Sequence, residues 1–371
     1  MQITEFWTHR SRLRETKIVQ RESIALNDGE CRLAIDKFAL TANNVSYATS
    51  GEAIGYWRYF PAEGEWGKVP VWGFADVLES RCPGLNAGER IWGFFPMASH
   101  VTMQPGRLSA GNFFDMAAHR QDLPRLYNQY YRTDSDPAAL RAMEDERCLL
   151  YPLFATSFMI YDSLLDNGFF GAEQVVIASA SSKTAFGLAH LLHHDPAVLR
   201  QGKRVVGLTS PGKLAFVQSL DVCDQVLAYD ELEQLDPGVK TAFVDMSGNR
   251  ALIARVHRHL GDNIVDSAMV GATHWEYTRK GNPLPDANDA SLPGARPAFF
   301  FAPTRFAKRE KDWGPGVATV RAFEATQRIA ASLEGRFQVL HRNGPEAVAR
   351  SYAEVIDNTL PPEVGLMLSL R

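Results

Sequence analysis

Cysteine is scarce in this chain of 371 residues: Cys31, Cys82, Cys148 and Cys223 are the only four. They lie far apart, with no C-x-x-C pair and no histidine at ligand spacing, which argues against a disulfide framework and a zinc knuckle. No apolar run is long enough to span a bilayer. The opening MQITEFWTHRSRLRETK has mixed charges and no apolar core, so it does not read as a secretory leader. An excess of one charge is missing too, since 39 Lys and Arg stand against 43 Asp and Glu for a net charge of -4. That balance gives no electrostatic footprint for nucleic acid or an anionic membrane. The absences together lead to an expected cytoplasmic protein that works on small molecules, with no nucleic acid and no membrane among its partners. No internal repeat or low-complexity tract occurs.

What is present is ordinary for a globular protein, 45% hydrophobic and 22% charged, and the length implies about two domains. Up to about residue 105 the chain carries short apolar runs broken by turn residues, such as CRLAIDKFALTA, VWGFADVLES and ERIWGFF. Short strands at close spacing predict a β-barrel or sandwich. Residues 103–147 are irregular and polar and read as a long insertion or lid, ending in a short helix over PAALRAMEDERCL. After Tyr151 the pattern changes to alternating helices and strands: LFATSFMIYDSLLDN, VVIASA, KTAFGLAHLLHHD, KRVVGLTS, PGKLAFVQSL, QVLAYD, TAFVDMS, NRALIARVHRHLG and IVDSAMVGAT. Alternation at that length predicts a doubly wound parallel sheet with right-handed crossovers. PAFFFAP, the helix VATVRAFEATQRIAASLEG, and the strands FQVLHRN and VGLMLSL around the helix PEAVARSYAEVIDN complete the chain. The last strands rejoin the first domain, so the expected domains are 1–148 completed by 335–371, and 149–334.

The stretch VVIASASSKTAFGLAHLL, Val175 to Leu192, joins a strand, a small polar turn and an amphipathic helix. A dinucleotide pyrophosphate binds at such a junction, where free backbone N–H groups meet the positive end of the helix dipole. Glycines usually serve the turn, but here it reads Ser-Ala-Ser-Ser-Lys-Thr. Serine and alanine are the next smallest residues. Ser181, Ser182 and Thr184 add hydroxyl donors, and Lys183 adds a cation. The same pattern also fits an ordinary strand and helix of an α/β protein. A phosphate-binding P-loop does not fit, because it needs glycine where Ile177 and Ser182 stand. The next strand ends in Thr209 and Ser210 and is followed by Lys213, with no acidic residue to accept from a ribose 2′-hydroxyl. A hydroxyl and an ammonium suit a 2′-phosphate, hence NADP(H).

Several further segments fall into one order. FALTANNVSYATSG carries Asn43, PVWGFADVLES and LNAGERIWGFF carry Gly88, Glu89 and Arg90, YPLFATSFMIYDSLL carries Pro152 and Thr156, and IVDSAMVGAT carries Gly271. In this order the chain resembles the medium-chain dehydrogenase/reductase superfamily, in particular its zinc-independent quinone reductase-like branch. The resemblance implies an α/β protein with a GroES-like β-barrel domain and a Rossmann-type domain, NADP(H) as cofactor, and Asn43 near the nicotinamide and substrate. It adds Thr156 and Gly271 to the cofactor-binding residues, and it implies a possible homodimer, since relatives commonly pair. Departures from the pattern are equally plain. Asn43, Asn44 and Ser46 stand where a zinc ligand would lie, and GFAD replaces a Gly-His-Glu, so no metal is expected. Ser46 occupies a position where quinone reductases usually have aspartate, and Ala185 replaces the last glycine of the turn.

Without zinc, a developing enolate or phenolate oxygen needs hydrogen-bond donors from side chains. Asn43, Tyr47, Tyr56 and the Tyr127–Tyr131 cluster, Tyr130 in particular, are the candidates. The aromatic run Tyr56 to Phe74 could wall an apolar substrate or pack against the barrel. His193, His194, His257 and His259 read as solvated residues of surface helices. Phe306 to Trp313 reads as a solvated loop whose cations could meet an anionic substrate such as an acyl-CoA. The expected function is a zinc-independent, NADPH-dependent reductase of a conjugated carbonyl or quinone. The alternative is an NADP(H)-binding protein of this fold without efficient catalysis, in sensing or assembly.

Overall fold

The computed structural model describes residues 1–271 and 292–371; Ala272 and Thr273, the tail of the predicted strand IVDSAMVGAT, lie outside them. The chain is α/β and divides into two units, one of Met1–Leu149 with Gly335–Arg371 and the other of Leu150–Glu334.

The second unit is built on a six-stranded parallel sheet. Its strands run in the order Gln225–Ala228, Arg204–Thr209, Gln174–Ala178, Thr241–Asp245, Ile264–Met269 and Ala298–Phe299. Gln174–Ala178 is buried at every position. A strand covered on both faces is continuously apolar instead of alternating, which is what its Val-Val-Ile run provides. Register then decides what gathers at the sheet's end. Ala178 lies beside both Leu208 and Asp245, Thr209 beside Ala228, and Asp245 beside Met269. The residues that leave these strands therefore share one edge, and strand order reverses between Gln174–Ala178 and Thr241–Asp245. In open parallel sheets that reversal opens a crevice outside the carboxyl ends.

Val176, Val206, Phe243, Leu252, Val256 and Leu260 form the core on one side of this sheet. Each such side chain contributes roughly 1.5–3 kcal/mol by leaving water. The helices Tyr151–Asp166 and Lys183–His194 approach through Gly187, where a Cβ would stand 2.7 Å from Phe154 and from Ser157. The Ser157 hydroxyl uses that closeness to donate to the Thr184 carbonyl at 2.7 Å.

Two expectations fail in this unit. His257 is fully buried, with Nδ1 2.9 Å from the Pro293 carbonyl and Nε2 3.0 Å from the Ser267 hydroxyl; it faces the sheet because it follows Ile253 by four residues, on the apolar side of its helix. Phe306–Trp313 is not a loop but the greater part of a helix, Ala302–Trp313. Arg305 and Arg309 of this helix bind Asp162 at 2.6 and 2.8 Å and Lys308 binds Asp312 at 2.6 Å, while Lys311 is exposed.

The first unit holds a three-stranded sheet centred on Gln2–His9 and a nine-stranded mixed sheet. In the larger sheet the C-terminal strands Gln338–Asn343 and Val364–Ser369 pair in parallel, and Val364–Ser369 joins Cys31–Leu40 in antiparallel fashion. Pro70–Ser80 and Arg90–Pro96 follow. The segment 103–147 contributes short strands to this sheet. Gln129–Arg132 pairs with Arg90–Pro96 and with Asn112–Asp115. Gly93 makes the pairing possible, since a Cβ there would lie 2.3 Å from the Tyr130 ring. The predicted helix PAALRAMEDERCL splits into Ala138–Arg141 and Glu144–Leu149.

Candidate functional site

The turn after Gln174–Ala178 keeps a glycine-like backbone without a glycine. Ser179 adopts φ +58°, a left-handed conformation that costs a non-glycine residue about 1–3 kcal/mol. Ala180 N–H donates to the Leu208 carbonyl at 2.9 Å and Ser182 N–H to the Ser179 carbonyl at 2.8 Å, so the turn closes on itself and on the neighbouring strand. Ser182 then caps the helix Lys183–His194, its hydroxyl accepting from Ala185 N–H at 3.3 Å. Among the described residues the N–H groups of Ser181 and Thr184 have no hydrogen-bond partner. Donors of this kind at a helix start attract an anion.

The adjacent strand end is unusual in what it leaves open. Thr209 is fully buried, and its hydroxyl has no hydrogen-bond partner among the described residues. Lys213 is half-buried with no partner for its ammonium among the described residues, and burial pulls its pKa down. A buried polar atom without a partner costs free energy; a ligand bearing a phosphate and hydroxyl groups would satisfy both. Ser210, half-buried, accepts from Lys213 N–H at 2.9 Å and so shapes the turn between them.

Two further groups stand at the same edge. Asp245 is fully buried and accepts from the Ser247 and Gly248 N–H groups at 3.1 and 2.8 Å and from the Ser247 hydroxyl at 2.6 Å. Burial nevertheless pushes its carboxyl up to about 6, against those bonds. Tyr229, which follows Gln225–Ala228, is half-buried. Its phenol is raised to about 12 by burial and by the nearby Asp245 charge. Gly271 sits against the loop after Asp245, where a Cβ would meet the Met246 carbonyl at 2.9 Å. Thr156 is elsewhere occupied, its hydroxyl donating to the Pro152 carbonyl within its own helix at 2.9 Å.

In the first unit the candidate donors converge on a knot of aromatic rings. The helix Ala42–Thr49 presents two asparagines with different tasks. Asn44 is buried, accepts from Thr41 N–H at 2.7 Å and donates to the Pro70 carbonyl at 2.9 Å, which caps the helix and ties it to the next strand. Asn43 is half-buried, four residues before Tyr47, whose hydroxyl accepts from Trp72 Nε1 at 3.4 Å. The Tyr56 and Tyr127 hydroxyls lie 3.0 Å apart. Tyr47 and Tyr56 pack with ring centres 4.5 Å apart, and Phe94 and Tyr127 at 4.7 Å. Burial raises the pKa of all three tyrosines, with the Tyr47 charge adding to the rise at Tyr56. These hydroxyls are neutral donors at any ordinary pH.

Tyr130 does not join them. Its side chain is fully buried, stacked on Phe113, and its hydroxyl donates to the Phe94 carbonyl at 2.5 Å while accepting from Arg120 at 2.9 Å. Arg120 is itself held by Asp115 at 3.2 Å, so Tyr130 belongs to a buried structural cluster.

Sequence reasoning overlooked Ser179, Tyr229 and Asp245. The aspartate ending the apolar TAFVD was a visible signal, an ionisable residue at a buried strand end. Among the described residues no three of His, Cys, Asp and Glu converge as metal ligands.

Among curated proteins none matches the sequence. The family model described as "Protein of unknown function (DUF2855)" matches residues 38–361. Among solved structures the chain is similar to CurA from Vibrio vulnificus in complex with NADPH, at 13% identity and a TM-score of 0.59 over 99% of each chain. It is similar to TarJ of S. aureus in complex with NADPH, at 10% identity and a TM-score of 0.54 over 99% of each chain. The quinone oxidoreductase from Coxiella burnetii matches at 12% identity and a TM-score of 0.53 over 100% of each chain. At such identities the likeness is one of fold.

Proposed function

The chain belongs to the DUF2855 family, and from the open polar groups at its sheet edge we propose that it is a zinc-independent oxidoreductase that uses NADPH to reduce a conjugated carbonyl or quinone-like substrate. In this reading Leu150–Glu334 is a Rossmann-type dinucleotide-binding domain, and Met1–Leu149 with Gly335–Arg371 is a GroES-like barrel domain. The observation that carries it is the pairing of a buried hydroxyl, Thr209, with a half-buried lysine, Lys213, both without a partner among the described residues, at the end of the strand next to the serine turn. NADPH in the similar CurA and TarJ structures supports the choice of ligand.

Lys213 and Ser210 hold the 2′-phosphate, with the Thr209 hydroxyl at the ribose. Ser181, Ser182, Lys183 and Thr184 hold the pyrophosphate at the helix start, by N–H groups, hydroxyls and one cation. The bound dinucleotide supplies a hydride for the substrate's electron-poor carbon. What remains for the protein is the negative charge that grows on the substrate oxygen. Asn43 and the hydroxyls of Tyr47 and Tyr56 donate hydrogen bonds to it from an apolar surround, where such bonds are strongest. Because burial raises the tyrosine pKa values, these hydroxyls stabilise charge but are poor acids, and the final proton comes from water. The zinc-independent assignment rests on donor chemistry, since Asn43, Asn44 and Ser46 offer neither thiolate, imidazole nor carboxylate.

The test is NADPH oxidation against a panel of enones and quinones. Turnover is expected, and Asn43→Ala should lower kcat by about 100-fold, the cost of one oxyanion donor, with NADPH affinity unchanged. Tight NADPH binding with no turnover on the whole panel would refute the catalytic reading.

A further inference from the structure

We propose that His190 and His194, one turn apart at the C-terminal end of the helix Lys183–His194, form a binding site for a first-row divalent metal ion that prefers imidazole, such as Zn²⁺ or Ni²⁺. The site lies apart from the proposed chemistry. A helix of 12 residues is about 18 Å long, which separates these rings from the serine turn at its start. The zinc-independent reading of the reaction is untouched.

Residues four apart on a helix are neighbours on one face. The two imidazoles stack with ring centres 4.2 Å apart and planes 28° from parallel. A metal–nitrogen bond is about 2.0–2.1 Å long, so two of them reach about 4 Å, and one nitrogen of each ring can meet a common ion with little rotation. One ring is already set for the task. Nδ1 of His194 lies 2.9 Å from the His190 carbonyl; a carbonyl only accepts, so Nδ1 carries the hydrogen and Nε2 keeps its lone pair. Metal-binding histidines are commonly held in this way, the other ring nitrogen donating to a backbone carbonyl.

His190 supplies the second lone pair. It is half-buried, with its ring centre 5.8 Å from that of Phe186, and its ring has no hydrogen-bond partner among the described residues. Burial, with His194, His193 and Arg328 nearby, pulls its pKa down to about 4, so at neutral pH the ring is uncharged. His194 is exposed, which gives the ion a route in and leaves room for waters to complete its shell. A helix C-terminus also favours a cation. His193 is placed differently: its ring meets His194 edge-on at 5.2 Å, and adjacent residues point to different sides of a helix.

The test is calorimetric titration of the untagged full chain with ZnCl₂ and NiCl₂, with MgCl₂ for comparison, together with melting temperatures in the presence and absence of EDTA. Zn²⁺ or Ni²⁺ should bind at one equivalent and raise the melting temperature, and Mg²⁺, which prefers oxygen donors, should do neither. His190→Ala and His194→Ala should each weaken binding by about tenfold or more, and His193→Ala should leave it unchanged. Melting temperatures in EDTA equal to that of the parent establish that the variants are folded. No binding by the parent, binding that survives His190→Ala and His194→Ala, or an equal loss in His193→Ala would overturn the site.

Discussion

At the edge of the parallel sheet, the Thr209 hydroxyl and the Lys213 ammonium have no partner among the described residues, and burial pushes the Asp245 carboxyl up to about 6. In the aromatic knot of the first unit, the Tyr56 and Tyr127 hydroxyls bond each other and the Tyr47 hydroxyl accepts from Trp72. Unsatisfied buried groups destabilise a fold unless a ligand completes them. A closed network needs no ligand for its stability, and it presents neutral donors of fixed orientation. On the proposed reading the first region takes up a charged molecule and the second stabilises charge that arises during a reaction.

The widest expected gap between them is in pH dependence. Asp245 holds its proton to about pH 6 in the folded chain but releases it near 3.9 when unfolded. Between those values folding takes up a proton, so the stability linked to Asp245 falls as pH rises from about 4 to 6 and is level beyond, by about 3 kcal/mol in all. Comparing the parent chain with Asp245→Asn across pH 4–7 by denaturant unfolding isolates that slope. Equal slopes in the two chains would show that Asp245 is not ionising against its surroundings. The knot tyrosines, all raised, add nothing to the profile in this range.

Removing one hydroxyl from each region sharpens the contrast. Thr209→Val deletes an orphaned polar atom at nearly constant shape, so the chain should gain about 1 kcal/mol of stability while binding NADPH more weakly. Tyr56→Phe strands the Tyr127 hydroxyl and should lose about 1 kcal/mol. Melting curves with and without NADPH read both. If Thr209→Val is the less stable of the two, the difference between open and closed regions is wrong.

The parallel sheet was legible because its strands are long apolar runs separated by helical periods, and Val175–Val176–Ile177 can hardly be anything else. Asn112–Asp115 and Gln129–Arg132 escaped because four residues between turn formers carry too little pattern to separate a strand from a loop. The charges of Phe306–Trp313 hid a helix whose cations face Asp162 and Asp166, partners about 140 residues away in sequence. In the site, Lys213 was visible as a cation where an acid is customary. Ser179 was not, since nothing in the residues around it announces a left-handed backbone. Asn43 and Asn44 look alike in the sequence; only the fold buries Asn44 and gives it to the helix cap while Asn43 stays half-buried.

The most direct measurement is titration of the parent chain and Lys213→Ala with NADPH and with NADH. The account predicts that the parent binds NADPH much more tightly than NADH and that Lys213→Ala abolishes this preference by weakening NADPH alone. Equal binding of both cofactors by the parent, or an equal loss of both in the variant, would contradict the assignment of the sheet edge to NADP(H).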